Sequence, residues 1–421
     1  MSAVGRIAGG YRETWHASGT GGRAILLGSG AFVARVVGFS FLLPLYAKAS
    51  GFSTEQYGLL VAIQNITPII ALIPVLVLAR RGWDRRLMML GPTIGMLGML
   101  MLIAGRDAPY GVWMAAVILC GGSSATYWTL SDPLLAEATT PEFRAQAYAL
   151  KRLFFTIGSS VGALAAGAVP EGIQRSMGTT ERDAYWVTLF VLAGLDGTQI
   201  WIFRRVPIRS LGHRMAGAAG HHVPVSLLIG SLILFGLAEA LFGFGYNSIR
   251  PFMSLFLTER EGLSSGTAGL VIASTAIVAA LGALLMPVLA ERIGNARALG
   301  LLRFAGALSV TAWFAVGELG AVIALTLLYY GLLDGTSALY AAEVMGRLPA
   351  AARDVMAGLN NVLWSVVGAT AAALSGYLQD LPSGGFGLAF SVGALGYLLS
   401  AAWCVIMLSR IALREVTPAR S

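Results

Sequence analysis

Glu239, Phe242, Tyr246 and Arg250 recur at i, i+3, i+7 and i+11 in one apolar run, which puts them on a single helical face. An acid, two rings and a base so aligned can hold an ionised solute, or trade a proton against an ion pair. Arg35 poses the same problem in the middle of "GSGAFVARVVGFSFLLPLY", residues 28–46. Inside a bilayer such charges cost roughly 2.5–3.5 kcal/mol each on insertion scales, so they are expected to face a partner or a water-filled cavity.

Counting ~1.5 Å per residue from the nearest basic loop sorts these groups by depth. Asp132, Lys151, Arg152, Asp196 and Asp334 form an inner layer, with Asn360 and Asn361 at the repeat-equivalent of Lys151 and Arg152. Arg35 and Glu239 form a central layer, and Arg250 sits beyond it. Asp132 is expected to pair with Lys151 or Arg152, which lie at similar depth on the next, antiparallel helix. Two readings stand for the inner layer: structural pairs between helices, or contacts with solute or proton. Gln64 and Asn65 add polarity to a second run, Trp128 shares a face with Ser124 and Asp132, and Tyr330 precedes Asp334 by about one turn. Phe242 and Tyr246 alone read equally as ordinary packing.

The elements that must position these groups are membrane helices. The chain has 421 residues, 56% hydrophobic and 12% charged, with a mean hydropathy of +0.73; an ordinary soluble protein is nearer ~25% charged. Twelve runs are long enough to span: roughly 24–47, 57–79, 87–105, 111–135, 145–170, 184–204, 225–257, 266–290, 298–316, 319–342, 354–378 and 386–409. The run 225–257 is too long for one straight span, and Gly243, Gly245 and Pro251 predict a break in it. Most of the 29 Lys and Arg fall in the termini and alternate loops, such as Arg80, Arg81, Arg85 and Arg86. That bias places both termini in the cytoplasm. It also accounts for the net charge of +8 without nucleic acid. Cys120 and Cys404 lie in apolar runs and have neither disulfide nor metal spacing. All four histidines lie outside the apolar runs, and no cofactor is expected.

The chain reads twice. "GFSTEQYGLLVAI" at 51–63 matches "GLSSGTAGLVIAS" at 262–274, through Gly51/Gly262, Gly58/Gly269 and Leu59/Leu270 at an offset of 211. Six runs separate the copies, so the repeat is parallel, with two six-helix halves. The expected organisation is a tail at 1–23, halves at 24–204 and 225–410, a cytoplasmic linker at 205–224 and a tail at 411–421.

With this repeat, the loop "PVLAERIGNAR" at 287–297 resembles the cytoplasmic loop motif of the major facilitator superfamily, supplying Glu291, Arg292, Gly294 and Arg297. The first-half copy, "VLARRGWDRR" at 77–86, has Arg80 where the motif carries an acid. The fourth and fifth runs lack the Arg and the Gly-Pro pair of that family's drug/proton antiporters. The resemblance implies an all-α polytopic membrane protein with twelve transmembrane helices. It implies a monomeric secondary active transporter in the inner membrane, moving a small organic solute, anionic or zwitterionic, by alternating access with protons or another coupling ion. Arg35, Gln64, Asn65, Trp128, Lys151, Arg152, Glu239, Tyr246, Arg250, Tyr330, Asn360, Asn361 and Trp364 are its candidate substrate contacts. Glu239, Asp334 and Asp196 are candidates for proton coupling. On the cavity-facing first helix, Arg35 would meet water, solute or Glu239. Efflux of amphipathic compounds or lipids, and a non-transporting membrane scaffold or receptor, are the alternatives. No nucleotide-binding loop occurs, and no metalloprotease or nucleophile-elbow motif lies in a span, which argues against an enzyme.

Overall fold

The structure is a computed structural model that describes residues 3–206, 232–348 and 350–408. The tail 411–421, and the linker beyond Val206, lie outside the described residues. Thirteen α-helices of more than ten residues make up most of the described chain. They are α1 (Ala3–Ala17), α2 (Gly19–Ala49), α3 (Thr54–Arg80), α4 (Asp84–Ala104), α5 (Tyr110–Ala138), α6 (Arg144–Met177), α7 (Glu181–Phe203), α8 (Leu237–Ile249), α9 (Ser265–Ile293), α10 (Asn295–Ala312), α11 (Leu319–Arg347), α12 (Ala350–Asp380) and α13 (Phe386–Trp403). Part of the expected N-terminal tail is helical, as α1. The expected break near Pro251 is a 3₁₀ turn, Arg250–Phe252, directly after α8. Its proline has no N–H to continue the helix.

Nine helices among the described residues are long and apolar enough to cross a membrane. Of the twelve runs, those of α5, α8 and α10 are not among the nine. Hydroxyls and Asp132 dilute α5, the 3₁₀ turn cuts α8 short, and α10 carries Arg297 and Arg303 in 18 residues.

Contacts divide the chain into two units. In the first, α2 packs on α6 and α7, and α4 packs on α5 and α7. In the second, α8 packs on α12 and α13, and α10 packs on α11 and α13. This is the same scheme with every helix advanced by six, so the repeat read from short matches extends to the packing. The α2–α6 contact depends on small residues. A Cβ on Gly158 would collide with the backbone of Gly30, and one on Gly162 with that of Ala34. Each unit has an apolar core. Phe32, Leu87, Leu135 and Phe203 belong to the first; Phe235, Leu299, Leu302 and Leu339 belong to the second.

Two short segments depart from the sequence halves. Residues 51–62 belong to the second unit and 264–273 to the first. Each carries a helix N-terminus held by an acid. Asp380 accepts from the Thr54 and Glu55 amides at 3.2 and 2.6 Å. Glu171 accepts from the Gly266 amide at 2.7 Å and the Ser264 hydroxyl at 2.8 Å. A carboxylate there satisfies N–H groups that have no partner in the helix and lies at the positive end of its dipole. Glycines permit the approach: a Cβ on Gly269 would lie 2.8 Å from the Ala163 carbonyl oxygen, and one on Gly58 2.7 Å from that of Ala372. Glu171→Ala is expected to lower stability by about 0.5–2 kcal/mol, the usual cost of a lost cap, read as a fall in the thermal midpoint in detergent. An unchanged midpoint would mean that the cap does not hold the segment.

Candidate functional site

Among the described residues, each unit has two ion pairs between charges that lie within the apolar runs, one sealed and one partly open. In the first unit, Arg35 on α2 meets Asp196 on α7, with Nε 3.2 Å from Oδ1 and fractional exposures of 1% and 0%. Ser123 Oγ accepts from Arg35 Nη2 at 3.1 Å, and Gln199 Nε2 donates to Asp196 Oδ1 at 2.9 Å. In the second unit, Arg303 Nη2 on α10 donates to Glu239 Oε2 on α8 at 2.9 Å. Arg303 Nη1 donates to Ser400 Oγ at 2.6 Å and to the Ala238 carbonyl at 3.1 Å. The Arg303 and Glu239 side chains are 0% and 8% exposed. The expectation that Arg35 faces water, solute or Glu239 is thus corrected: both groups are enclosed with other partners, as buried charge requires.

The open pairs differ in their walls. From the 3₁₀ turn after α8, Arg250 grips Asp334 on α11 with both ends of the guanidinium, Nη2 to Oδ1 at 2.6 Å and Nη1 to Oδ2 at 3.1 Å. The guanidinium carbon lies 4.1 Å from the Tyr246 ring centroid and 4.0 Å from that of Tyr330. Tyr246 OH also accepts from Nη1 at 3.1 Å. Exposures of 12% and 24% leave this pair within reach of solvent. Trp364 on α12 packs its ring 5.2 Å from Tyr246. One turn before it, Asn360 Oδ1 is buried without a hydrogen-bond partner. Asn361 is exposed.

In the first unit, Lys151 Nζ on α6 lies 2.6 Å from Asp132 Oδ1 and donates to Ser131 Oγ at 2.8 Å. It stands over the Tyr127 and Phe155 rings at 5.3 and 5.8 Å. Lys151 is therefore the partner of Asp132, one of the two that the depths allowed, and Arg152 is exposed on the next face. Asp132 is 57% exposed and the neighbouring Trp128 55%. Gln64 and Asn65 are half-buried on α3. Of the loop-motif residues, Glu291, Arg292 and Arg297 are exposed, and Gly294 turns the chain between α9 and α10 at φ +85°.

The stripe on α8 now has two ends. Glu239 faces Arg303, whose guanidinium lies 4.3 Å from the Phe242 ring. Phe242 leads to Tyr246 at 6.3 Å and so to Arg250. Sequence reasoning missed Arg303. An Arg within the apolar run 298–316 was the available signal.

The sequence profile of the Major Facilitator Superfamily matches residues 25–373. The chain belongs to the Major Facilitator Superfamily. It is a membrane transporter and not an enzyme. A mutant form of the nucleoside transporter NupG is similar in structure, with a TM-score of 0.72 at 13% identity over 93% of this chain and 99% of that one. The xylose transporter XylE from E. coli, in a partially occluded inward-open conformation, gives 0.67 at 13% identity over 92% and 97%. A bacterial homologue of the human lysosomal transporter Spinster, inward-facing and unoccupied, gives 0.61 at 15% over 98% and 99%. These superfamily likenesses are likenesses of fold. No curated protein matches the chain in sequence.

Breaking a sealed pair orphans a buried charge, which costs about 3–5 kcal/mol, whereas replacing both partners by apolar residues is close to neutral. Glu239→Gln is expected to destabilise the purified protein strongly, and Glu239→Leu with Arg303→Met to recover most of the loss in thermal unfolding. A double variant less stable than Glu239→Gln would contradict the pairing.

Proposed function

We propose that this chain is a secondary active transporter for a small organic solute, coupled to protons and working by alternating access. The reading includes twelve spans with both termini in the cytoplasm, a monomer and the inner membrane. It rests chiefly on one observation: the Arg250–Asp334 pair, bidentate yet partly open, inside an aromatic wall.

That arrangement can exchange partners. A carboxylate or phosphate on the solute competes with Asp334 for the guanidinium, and Tyr246 and Tyr330 keep the cation in place by cation–π attraction during the exchange. Asp334, left without its cation in a low-dielectric wall, then takes up a proton. Release of the solute returns Asp334 to Arg250 and expels the proton. Glu239 and Asp196, the other coupling candidates, are sealed against their own arginines and serve structure in this reading. Lys151 and Asp132 offer a second exchangeable pair, with Trp128, Tyr127 and Phe155 as its wall. Asn360, Asn361 and Trp364 contribute polar and stacking contacts to the solute.

Thermal-shift screening of nucleosides, sugars and their acidic derivatives identifies a solute, since a ligand stabilises what binds it. In proteoliposomes, Asp334→Asn is then expected to abolish accumulation driven by an imposed pH gradient while sparing counterflow exchange. Undiminished accumulation in that variant would contradict the coupling role. Loss of both activities in a folded variant would assign Asp334 to solute binding alone.

A further inference from the structure

The loop where the first half departs from the family motif adjoins a second basic helix end. Arg80 is exposed at the C-terminus of α3, followed by exposed Arg81. The chain turns at Gly82, φ +78°, and α4 begins with Asp84, Arg85 and Arg86. Arg85 Nη2 donates to the carbonyl of Arg204, the C-cap of α7. That bond ties the α3–α4 turn to Arg204 and Arg205. Six guanidinium groups are thereby gathered within the first unit. The acid among them, Asp84, is buried at 1% exposure. In the repeat-equivalent turn, Glu291 is exposed beside Arg292 and Arg297, so that patch is of mixed sign.

Two exposed tryptophans sit inside the cationic patch, Trp83 at 40% and Trp201 at 47%. Arg86 stacks on Trp83 at 5.0 Å and Arg205 on Trp201 at 3.9 Å. Topology alone requires cations on this side, but it requires neither two indoles nor guanidiniums held flat against them. Indole rings settle at the headgroup level of a bilayer. A guanidinium stacked on a ring keeps its N–H fork free for a phosphate, which it binds with two parallel hydrogen bonds.

We propose that the α3–α4 turn and the end of α7 form a binding site for the phosphate headgroup of an anionic phospholipid in the cytoplasmic leaflet. Arg80, Arg81, Arg86 and Arg205 supply the charge, and Trp83 and Trp201 anchor at the glycerol level. The cation at position 80, where the motif has an acid, converts a latch position into a lipid-holding one. The site rests on the topology proposed above but not on the solute or on proton coupling.

The full chain is purified in neutral detergent, and lipid retention is measured by native mass spectrometry with phosphatidylglycerol or phosphatidylcholine added. Phosphatidylglycerol is expected to be retained over phosphatidylcholine. Combined substitution of Arg80, Arg81, Arg86 and Arg205 by Gln is expected to weaken that retention by at least about tenfold, as each cation near an anionic surface contributes separately. Arg292→Gln with Arg297→Gln is expected to leave it unchanged. Equal losses in the two variants would mean unspecific charge attraction and overturn the site. Removing inner-side cations can disturb insertion, so the wild-type protein supplies a second readout. Phosphatidylglycerol is expected to shield Arg80, Arg81, Arg86 and Arg205 from phenylglyoxal, with Arg292 and Arg297 still modified. Equal shielding by phosphatidylcholine, or full displacement of the lipid by inorganic phosphate, would overturn the lipid assignment. A topology test that placed this turn outside the cell would overturn the leaflet and the proposed orientation together, whereas failure of retention alone would leave the transport reading intact.

Discussion

A guanidinium cannot shed its proton, so inside a bundle of apolar helices its place is fixed by where a carboxylate can reach it. Arg35, Arg250 and Arg303 each meet that condition on a different helix. So does Lys151, although its ammonium could in principle deprotonate. The four pairs cross-link helices, one of them (α2 to α7) within a close packing and the others between helices that otherwise pack mainly elsewhere. Arg35 draws α7 to α2 through Asp196, Arg303 draws α10 to α8 through Glu239, and Lys151 and Arg250 join α6 to α5 and the end of α8 to α11. Glycines then set how closely the backbones approach, as Gly158 and Gly162 do beneath Gly30 and Ala34.

The pairs divide by what surrounds them. Around Arg303 the hydrogen-bonding partners, Glu239, the Ser400 hydroxyl and the Ala238 carbonyl, are all enclosed with it, and the Phe242 and Tyr340 rings close the site. Such a site has nothing to exchange. Around Arg250 the remaining neighbours are the Tyr246 hydroxyl and ring faces, and the pair stays partly open to solvent. An anion arriving there can take the place of Asp334 without leaving a donor orphaned. In the first unit exposure alone separates the two pairs: Arg35 and Asp196 are enclosed, whereas Asp132 beside Lys151 is 57% exposed.

The sequence exposed some of this and concealed the rest for physical reasons. That Asp132 pairs with Lys151 or Arg152 was legible because consecutive antiparallel helices place residues of similar depth side by side; which of the two was not, since it depends on the face each turns to α5. The parallel repeat was legible from matched glycines such as Gly58 and Gly269, whose role is backbone approach and not any side-chain property. The Glu239 partner was not legible. Arg303 lies 64 residues away, on a helix whose contact with α8 follows from tertiary packing alone. Depth placed Arg35 and Glu239 in one layer, but depth carries no information about which face of a helix is turned inward. The caps on α3 and α9 by Asp380 and Glu171 were hidden for a similar reason, since no local pattern announces an acid that serves a distant helix end.

The division into sealed and open pairs is tested most directly on the unmodified protein, by tagging carboxylates with a water-soluble carbodiimide and glycine ethyl ester and mapping the products by mass spectrometry. Asp132 and Asp334 are predicted to be tagged, while Asp196 and Glu239 stay unmodified until the protein is unfolded. Tagging of Glu239 or Asp196 as readily as Asp334 in the folded protein would contradict the account.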